Sequence, residues 1–315
     1  MQGRSRQCII WTVCVAAALF ASRSPATGQT PTATPPTFRS NTTLVVIPVT
    51  VTDSMNRFVL GLQKKDFRIF EDGVEQTITH FSGEDAPLSV GLAFDESGSM
   101  DYKLQTSRAA AAHFMKTMNA DDEALLVEFS DKARLSVGFT PKVEEITAAL
   151  KSSQPGGMTA MLDAVSLALQ EMKKARNPRK AIVIISDGGD NNSTYKASDI
   201  ESLVRQADVQ VYAMGVFEPV LSFGLSPEEI SGPRLLSEIA NQTGGRAFSA
   251  AVSSDLPSVA ARIAVELRNQ YVLAYSPKNQ AKDGKYRHVE AKVAPPAGFS
   301  PVKVHWRLGY YAPTK

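Results

Sequence analysis

Apolar and polar positions change rhythm twice along this chain. From Thr43 to Phe81 the apolar residues come in short bursts. Thr43 to Val51 is rich in β-branched residues, Arg57 to Leu60 is brief, and Phe67 to Phe70 runs into Glu71-Asp72-Gly73 before Val74 to Phe81. Such bursts predict strands, and the Asp-Gly pair predicts a hairpin turn. Residues 87–252 follow another pattern. Largely apolar runs (Leu88 to Phe94, Ala124 to Phe129, Val209 to Gly215, and the near-continuous Ala181 to Ile185) alternate with stretches of helical spacing. Leu104, Ala111, Phe114, Met115 and Met118 share one side of a helix over Lys103–Met118, as do Leu162, Val165, Leu169 and Met172 over Thr159–Lys173. Further helices are predicted over Val143–Leu150, Ser198–Gln206 and Pro233–Thr243, with strands at Leu135–Phe139 and Gly245–Ser249. After a helix over Leu256–Asn269, strand character returns at Tyr271–Tyr275, Arg287–Val293 and Val302–Gly309.

Strands alternating with helices predict an α/β fold with a doubly wound sheet, covered by helices on both faces. Four strands before that unit and three after it match the roughly seven of a sandwich. The expected architecture is an α/β domain at 87–269 inserted in a small β-sandwich formed by the flanks, 42–86 and 270–313.

The first 41 residues carry no such pattern. Arg4 and Arg6 precede an apolar run, Cys8 to Ala21, too short to cross a bilayer comfortably, and Ala26-Thr27-Gly28 offers small residues for cleavage. Residues 1–28 are therefore expected to be a signal peptide, with an uncleaved anchor as the alternative. Residues 29–41 read as a Thr/Pro-rich linker. Both cysteines, Cys8 and Cys14, fall in the leader, so the mature chain would have neither disulfides nor thiolate ligands. A secreted or periplasmic protein is expected, with no membrane span after signal cleavage.

Charge removes one function class. The formal net charge is +2, but Arg4, Arg6 and Arg23 precede the cleavage point, which leaves 31 basic residues against 32 acidic ones. With near-neutral balance and no basic run, nucleic acid is not an expected partner.

The candidate chemistry begins at Asp95-Glu96-Ser97-Gly98-Ser99, directly after an apolar strand. Ligands of open parallel sheets gather at the carboxyl ends of the strands. Asp95, Ser97 and Ser99 offer oxygens at alternate positions there, and Gly98 allows a sharp turn. Gly156-Gly157-Met158-Thr159 precedes a helix, and Asp187 ends the strand Ala181–Ser186. Two carboxylates and three hydroxyls suit a hard divalent cation, Mg²⁺ first, with Ca²⁺ or Mn²⁺ acceptable. The bland reading is that Asp95 to Ser99 merely cap the following helix.

These three pieces in this order resemble the von Willebrand factor type A family, whose metal-ion-dependent adhesion site (MIDAS) combines D-x-S-x-S with a Thr and an Asp. The resemblance implies a doubly wound, Rossmann-like sheet. It also implies direct ligation by Ser97, Ser99 and Thr159, with Asp95 and Asp187 acting directly or through water. It further implies a protein ligand that offers a carboxylate to the metal. Asp66-Phe67, Phe70-Glu71-Asp72-Gly73 and Gly309-Tyr310-Tyr311-Ala312-Pro313 resemble an acidobacterial-type subgroup of exported members. Two positions depart from the family pattern. Glu96 is larger and more acidic than usual and is expected to face solvent, and Met158 lengthens the loop before Thr159.

The expected function is divalent-cation-dependent binding, in adhesion or protein–protein interaction, by a protein that is not an enzyme. Two alternatives stay open: a structural envelope module whose metal only stabilises it, and a metal-assisted hydrolase. Against the hydrolase, no G-x-S-x-G elbow surrounds Ser97, and none of His80, His113, His288 and His305 falls in place for a triad by sequence order. Asp190-Asn191-Asn192-Ser193 reads as turn chemistry, and Asp101 as charge at a helix start. The apolar loop Val216–Gly232, with Phe217, Leu221, Phe223 and Leu225, leaves its strand on the metal's side and is a candidate contact for a protein partner.

Overall fold

The computed structural model describes residues 44–216, 226–250, 253–294 and 301–314. The expected leader (1–28), the linker (29–41) and the loop residues Phe217, Leu221, Phe223 and Leu225 lie outside them.

The flanks supply two sheets. Before the α/β unit come β1 (Val45–Thr52), β2 (Phe67–Glu71), β3 (Val74–Gln76) and β4 (Ile78–Ser82). The inserted unit comprises β5 (Leu88–Asp95), α1 (Leu104–Met115), β6 (Glu123–Phe129), β7 (Ala133–Thr140), α2 (Val143–Ser152), α3 (Met161–Glu171) and β8 (Arg179–Ser186). It continues with α4 (Ala197–Gln206), β9 (Gln210–Val216), α5 (Pro227–Gln242), β10 (Ala247–Ala250) and α6 (Leu256–Arg268). After it follow β11 (Tyr271–Tyr275), β12 (Tyr286–Val293), β13 (Lys303–Trp306) and β14 (Gly309–Tyr311).

One flanking sheet has the order β13-β1-β11-β4 and the other β14-β12-β2-β3, so each mixes strands from both ends of the chain. Their inward residues share one core: Ile47 and Val49 from β1, Phe67 and Ile69 from β2, Leu273 and Tyr275 from β11, Val289 and Ala291 from β12. The expected sandwich is present, with eight strands where seven were expected. The predicted strand over 57–60 is reduced to a single bridge between Phe58 and Thr52. The run from Val74 to Phe81 divides at Thr77: β3 pairs with β2, whereas β4 crosses to pair with β11. The run from Val302 to Gly309 likewise divides, β13 pairing with β1 and β14 with β12. Strands that switch sheets make the corners of a sandwich.

The six-stranded central sheet has the order β10-β9-β8-β5-β6-β7, all parallel except β7. Every residue of β5 is buried, as a strand covered on both faces requires. Core residues of α1, α2 and α6 pack on one face, and those of α3, α4 and α5 on the other. The helix α5 begins six residues earlier than Pro233. Ser226 Oγ accepts from the Glu229 amide at 3.2 Å, and Glu229 Oε2 accepts from the Ser226 amide at 2.7 Å. This reciprocal capping box, with Pro227 at the first helical position, fixes the start.

Candidate metal centre

The centre of the site is the carboxyl edge of β5 and β8. Asp95 closes β5 with no solvent exposure, because β6 and β8 flank it in the sheet. Its Oδ1 accepts from the Ser97 amide at 2.9 Å, and its Oδ2 accepts from Ser186 Oγ at 2.5 Å. Burial, with the facing charge of Asp187, pushes its carboxyl up to about 7. Ser186 is a participant that sequence reading passed over. As the last residue of β8 it looks like any strand-end serine, and only the β5–β8 pairing brings it to Asp95.

After Asp95 the chain enters a 3₁₀ turn, Gly98–Lys103, with Ser97 at its N-cap. The Ser97 side chain makes no capping bond, contrary to the bland reading; its Oγ lies 3.2 Å from Ser99 Oγ. Two hydroxyls are thus held side by side above the Asp95 carboxylate loop. Asp187 is almost wholly buried, with Oδ1 facing the Gly189 amide at 3.4 Å. Its Oδ2 accepts from Lys103 Nζ at 3.1 Å. This lysine was not a candidate from sequence.

Thr159 stands on the neighbouring loop, buried ahead of α3. Two backbone bonds join that loop to the Asp95–Ser99 segment: Gly156 N to Glu96 O at 2.9 Å and Gly98 N to Gly157 O at 3.1 Å. Gly157 has φ +78°, and a Cβ there would lie 2.7 Å from Asp131 Oδ1, so only glycine fits without displacement. Met158 turns outward, 54% exposed, while its amide donates to Asp131 Oδ1 at 2.7 Å. The extra residue is accommodated as a bulge toward solvent.

The segment after Asp187 serves as a brace. Asn191 Oδ1 accepts from the Thr159 amide at 2.8 Å, Asp190 Oδ2 from the Leu162 amide at 3.3 Å, and Ser193 Oγ from the Asp163 amide at 3.1 Å. It supplies acceptors to the open first turn of α3, a capping role added to the turn chemistry expected of it. Gly188 (φ +80°) sits against Gly232 of α5 so closely that a Cβ on it would fall 2.7 Å from that backbone.

Glu96 corrects an expectation. Instead of facing solvent it is buried, and it shares Arg134 with Glu128, at 2.7 Å and 2.9 Å respectively. Arg134 comes from the antiparallel edge strand β7, which no local signal connects to Glu96.

Among the described residues, no group of three or more His, Cys, Asp or Glu side chains is placed to hold a metal. The candidate donors are instead two carboxylates and three hydroxyls, all hard oxygens, with one carboxylate fully enclosed.

The profile of the von Willebrand factor type A domain matches residues 90–189, which span Asp95, Ser97, Ser99, Thr159 and Asp187. The chain carries a von Willebrand factor type A domain. A von Willebrand factor type A protein from Catenulispora acidiphila has the same fold, with a TM-score of 0.50 at 13% identity, covering 87% of this chain and 74% of that one. An uncharacterized protein of Synechocystis sp. is 29% identical over 125 residues, and one of Borreliella burgdorferi is 26% identical over 161. These alignments cover 37% and 47% of this chain and 30% and 47% of the relatives, so the chain spans less than half of the curated relatives it matches. The type A domain occupies the inserted α/β unit, and the two flanking sheets are additional to it.

Proposed function

We propose that this chain is an exported binding protein whose type A domain grips a carboxylate-bearing protein partner through a divalent cation. Asp95, Ser97, Ser99, Thr159 and Asp187 would hold the ion. The observation that carries this reading is the enclosed Asp95, whose raised carboxyl reports anionic charge withheld from water beside a second carboxylate. Such a site gains from a counter-cation. Oxygen donors, two of them anionic, fit Mg²⁺, with Ca²⁺ and Mn²⁺ as acceptable substitutes. When bound, the cation supplies an electrophilic position for an acidic group.

The residues of the chain do the positioning. The Ser97 amide and Ser186 Oγ fix the two oxygens of Asp95, and two backbone bonds tie the glycine loop ahead of Thr159 to the Asp95–Ser99 segment. Binding is favoured over catalysis because the histidines stand on other elements. His80, His288 and His305 lie on β4, β12 and β13 of the flanking sheets, and His113 is exposed on α1. Export is supported by the leader pattern of residues 1–28; among the described residues no helix is long and apolar enough to cross a membrane.

Thermal melting of the purified chain in Mg²⁺ and in EDTA tests the site. The wild type is expected to melt several degrees higher in Mg²⁺, and Asp95→Ala and Ser97→Ala to melt alike in both. A wild type indifferent to Mg²⁺, Mn²⁺ and Ca²⁺ would sink the reading. The structural-module alternative draws on one observation, the Lys103–Asp187 pair, which neutralises a carboxylate without any metal. Affinity capture from envelope extracts separates the two, since only a binder releases a partner on chelation.

A further inference from the structure

Lys103 is the least expected residue at this edge. Its neighbours Met100 and Leu104 are buried apolar residues of the core, which is the character the position calls for. Lysines are almost never buried unless paired. Yet its side chain is 6% exposed, and its Nζ meets Asp187 Oδ2, on a side chain 4% exposed, at 3.1 Å. The Tyr102 ring, 5.3 Å from the ammonium, adds a weaker favourable contact. Taking an ammonium and a carboxylate out of water costs more than such a pair commonly returns, and an apolar residue of similar size would serve packing as well. The lysine therefore makes sense as charge.

The geometry points to Lys103 as a resident counter-cation that lowers the site's affinity for the divalent ion and, in return, leaves the loaded site positive for an anionic ligand. This rests on the metal reading proposed above. Asp95 and Asp187 ionised, three neutral hydroxyls and one ammonium give a net charge of minus one. A divalent cation brings that to plus one, and a ligand carboxylate to zero. With a neutral side chain at position 103 the loaded site would already be neutral, and a ligand carboxylate would make it negative. Asp187 Oδ2, shared with an ammonium, also offers less negative charge to a second cation. Unlike-charge interactions at this range and burial are strong enough for changes of about tenfold or more in each affinity.

The test uses the full chain with Mn²⁺ as the metal probe and acetate as the carboxylate probe. Mn²⁺ affinity is read by calorimetry, and acetate binding to the Mn²⁺-loaded protein by water-proton relaxation. Lys103→Met and Lys103→Gln are both made, so that a folding failure in one leaves the other, and Lys103→Arg keeps the charge. The expected result is Mn²⁺ binding about tenfold tighter in the Met and Gln variants, with an acetate response about tenfold weaker, and wild-type-like behaviour in the Arg variant. Mn²⁺ affinity in the Met and Gln variants equal to or below wild type overturns the role of Lys103 and leaves the metal site standing. Absence of Mn²⁺ binding from every protein removes the metal reading and this inference together.

Discussion

Two buried carboxylate clusters in this protein are built in opposite ways. In the sandwich, Glu71 Oε2 accepts from the hydroxyls of Tyr275 and Tyr310, each at 2.8 Å. Burial and the adjacent glutamate push both phenols far up, so they stay protonated donors. One charge meets two donors, and the cluster is closed. At the carboxyl edge of the central sheet, two carboxylates face each other with one ammonium paired to Asp187, and burial pushes Asp95 up to about 7. That cluster is unbalanced. In the first cluster neutral donors surround one carboxylate, whereas in the second every carboxylate oxygen has a partner but two negative charges share one cation.

The largest expected effect breaks the closed cluster. Glu71→Ala leaves two buried phenol hydroxyls without their acceptor and should cost about 3 kcal/mol, measured by urea denaturation. Asp95→Asn is expected to do the reverse in metal-free protein. A carboxyl whose folded pKa lies above its ordinary value binds protons on folding, so wild-type stability should rise as pH falls from about 8 through 7 toward 4. The asparagine variant lacks that rise and should be more stable than wild type by about 1–2 kcal/mol at pH 8. Melting curves across this range decide it, and an aspartate protein more stable than the asparagine protein at pH 8 would contradict the imbalance. The smallest effect concerns His305 on β13. Burial, with Arg246 and Lys303, pushes it down to about 4. Its neutral form is favoured in the folded state, so its contribution is complete above about pH 6.5 and is lost as pH falls toward 4. His305→Gln should flatten that loss, by on the order of 1 kcal/mol once partial exposure to solvent is allowed for.

The inserted domain was legible because β5, β8 and β9 are dominated by apolar residues and α1 and α3 keep helical spacing. Asp95, Ser97 and Ser99 were legible for a local reason: alternate oxygens follow directly on a buried strand. Lys103, Ser186 and Arg134 were not. A lysine beside Leu104 reads as the solvated side of a helix until the 3₁₀ turn folds it back onto Asp187, and Arg134 meets Glu96 only through an antiparallel edge. The start of α5 could have been found, since Ser226-Pro227-Glu228-Glu229 has the capping pattern; Gly232-Pro233 looked like a boundary but lies within the helix. The sheet switch at Thr77 has no such mark, because Gln76, polar, is buried and Val74, apolar, is exposed.

The way the type A domain is spliced into its host sheet has a mechanical consequence. The chain leaves the sandwich after Ser82 and comes back at Tyr271, and Ser82 lies directly across from Val272 on paired strands. The inserted domain is thus moored by two adjacent cords that are laced to each other. It cannot swivel about a single linker, and a pull on the inserted domain is divided between both moorings.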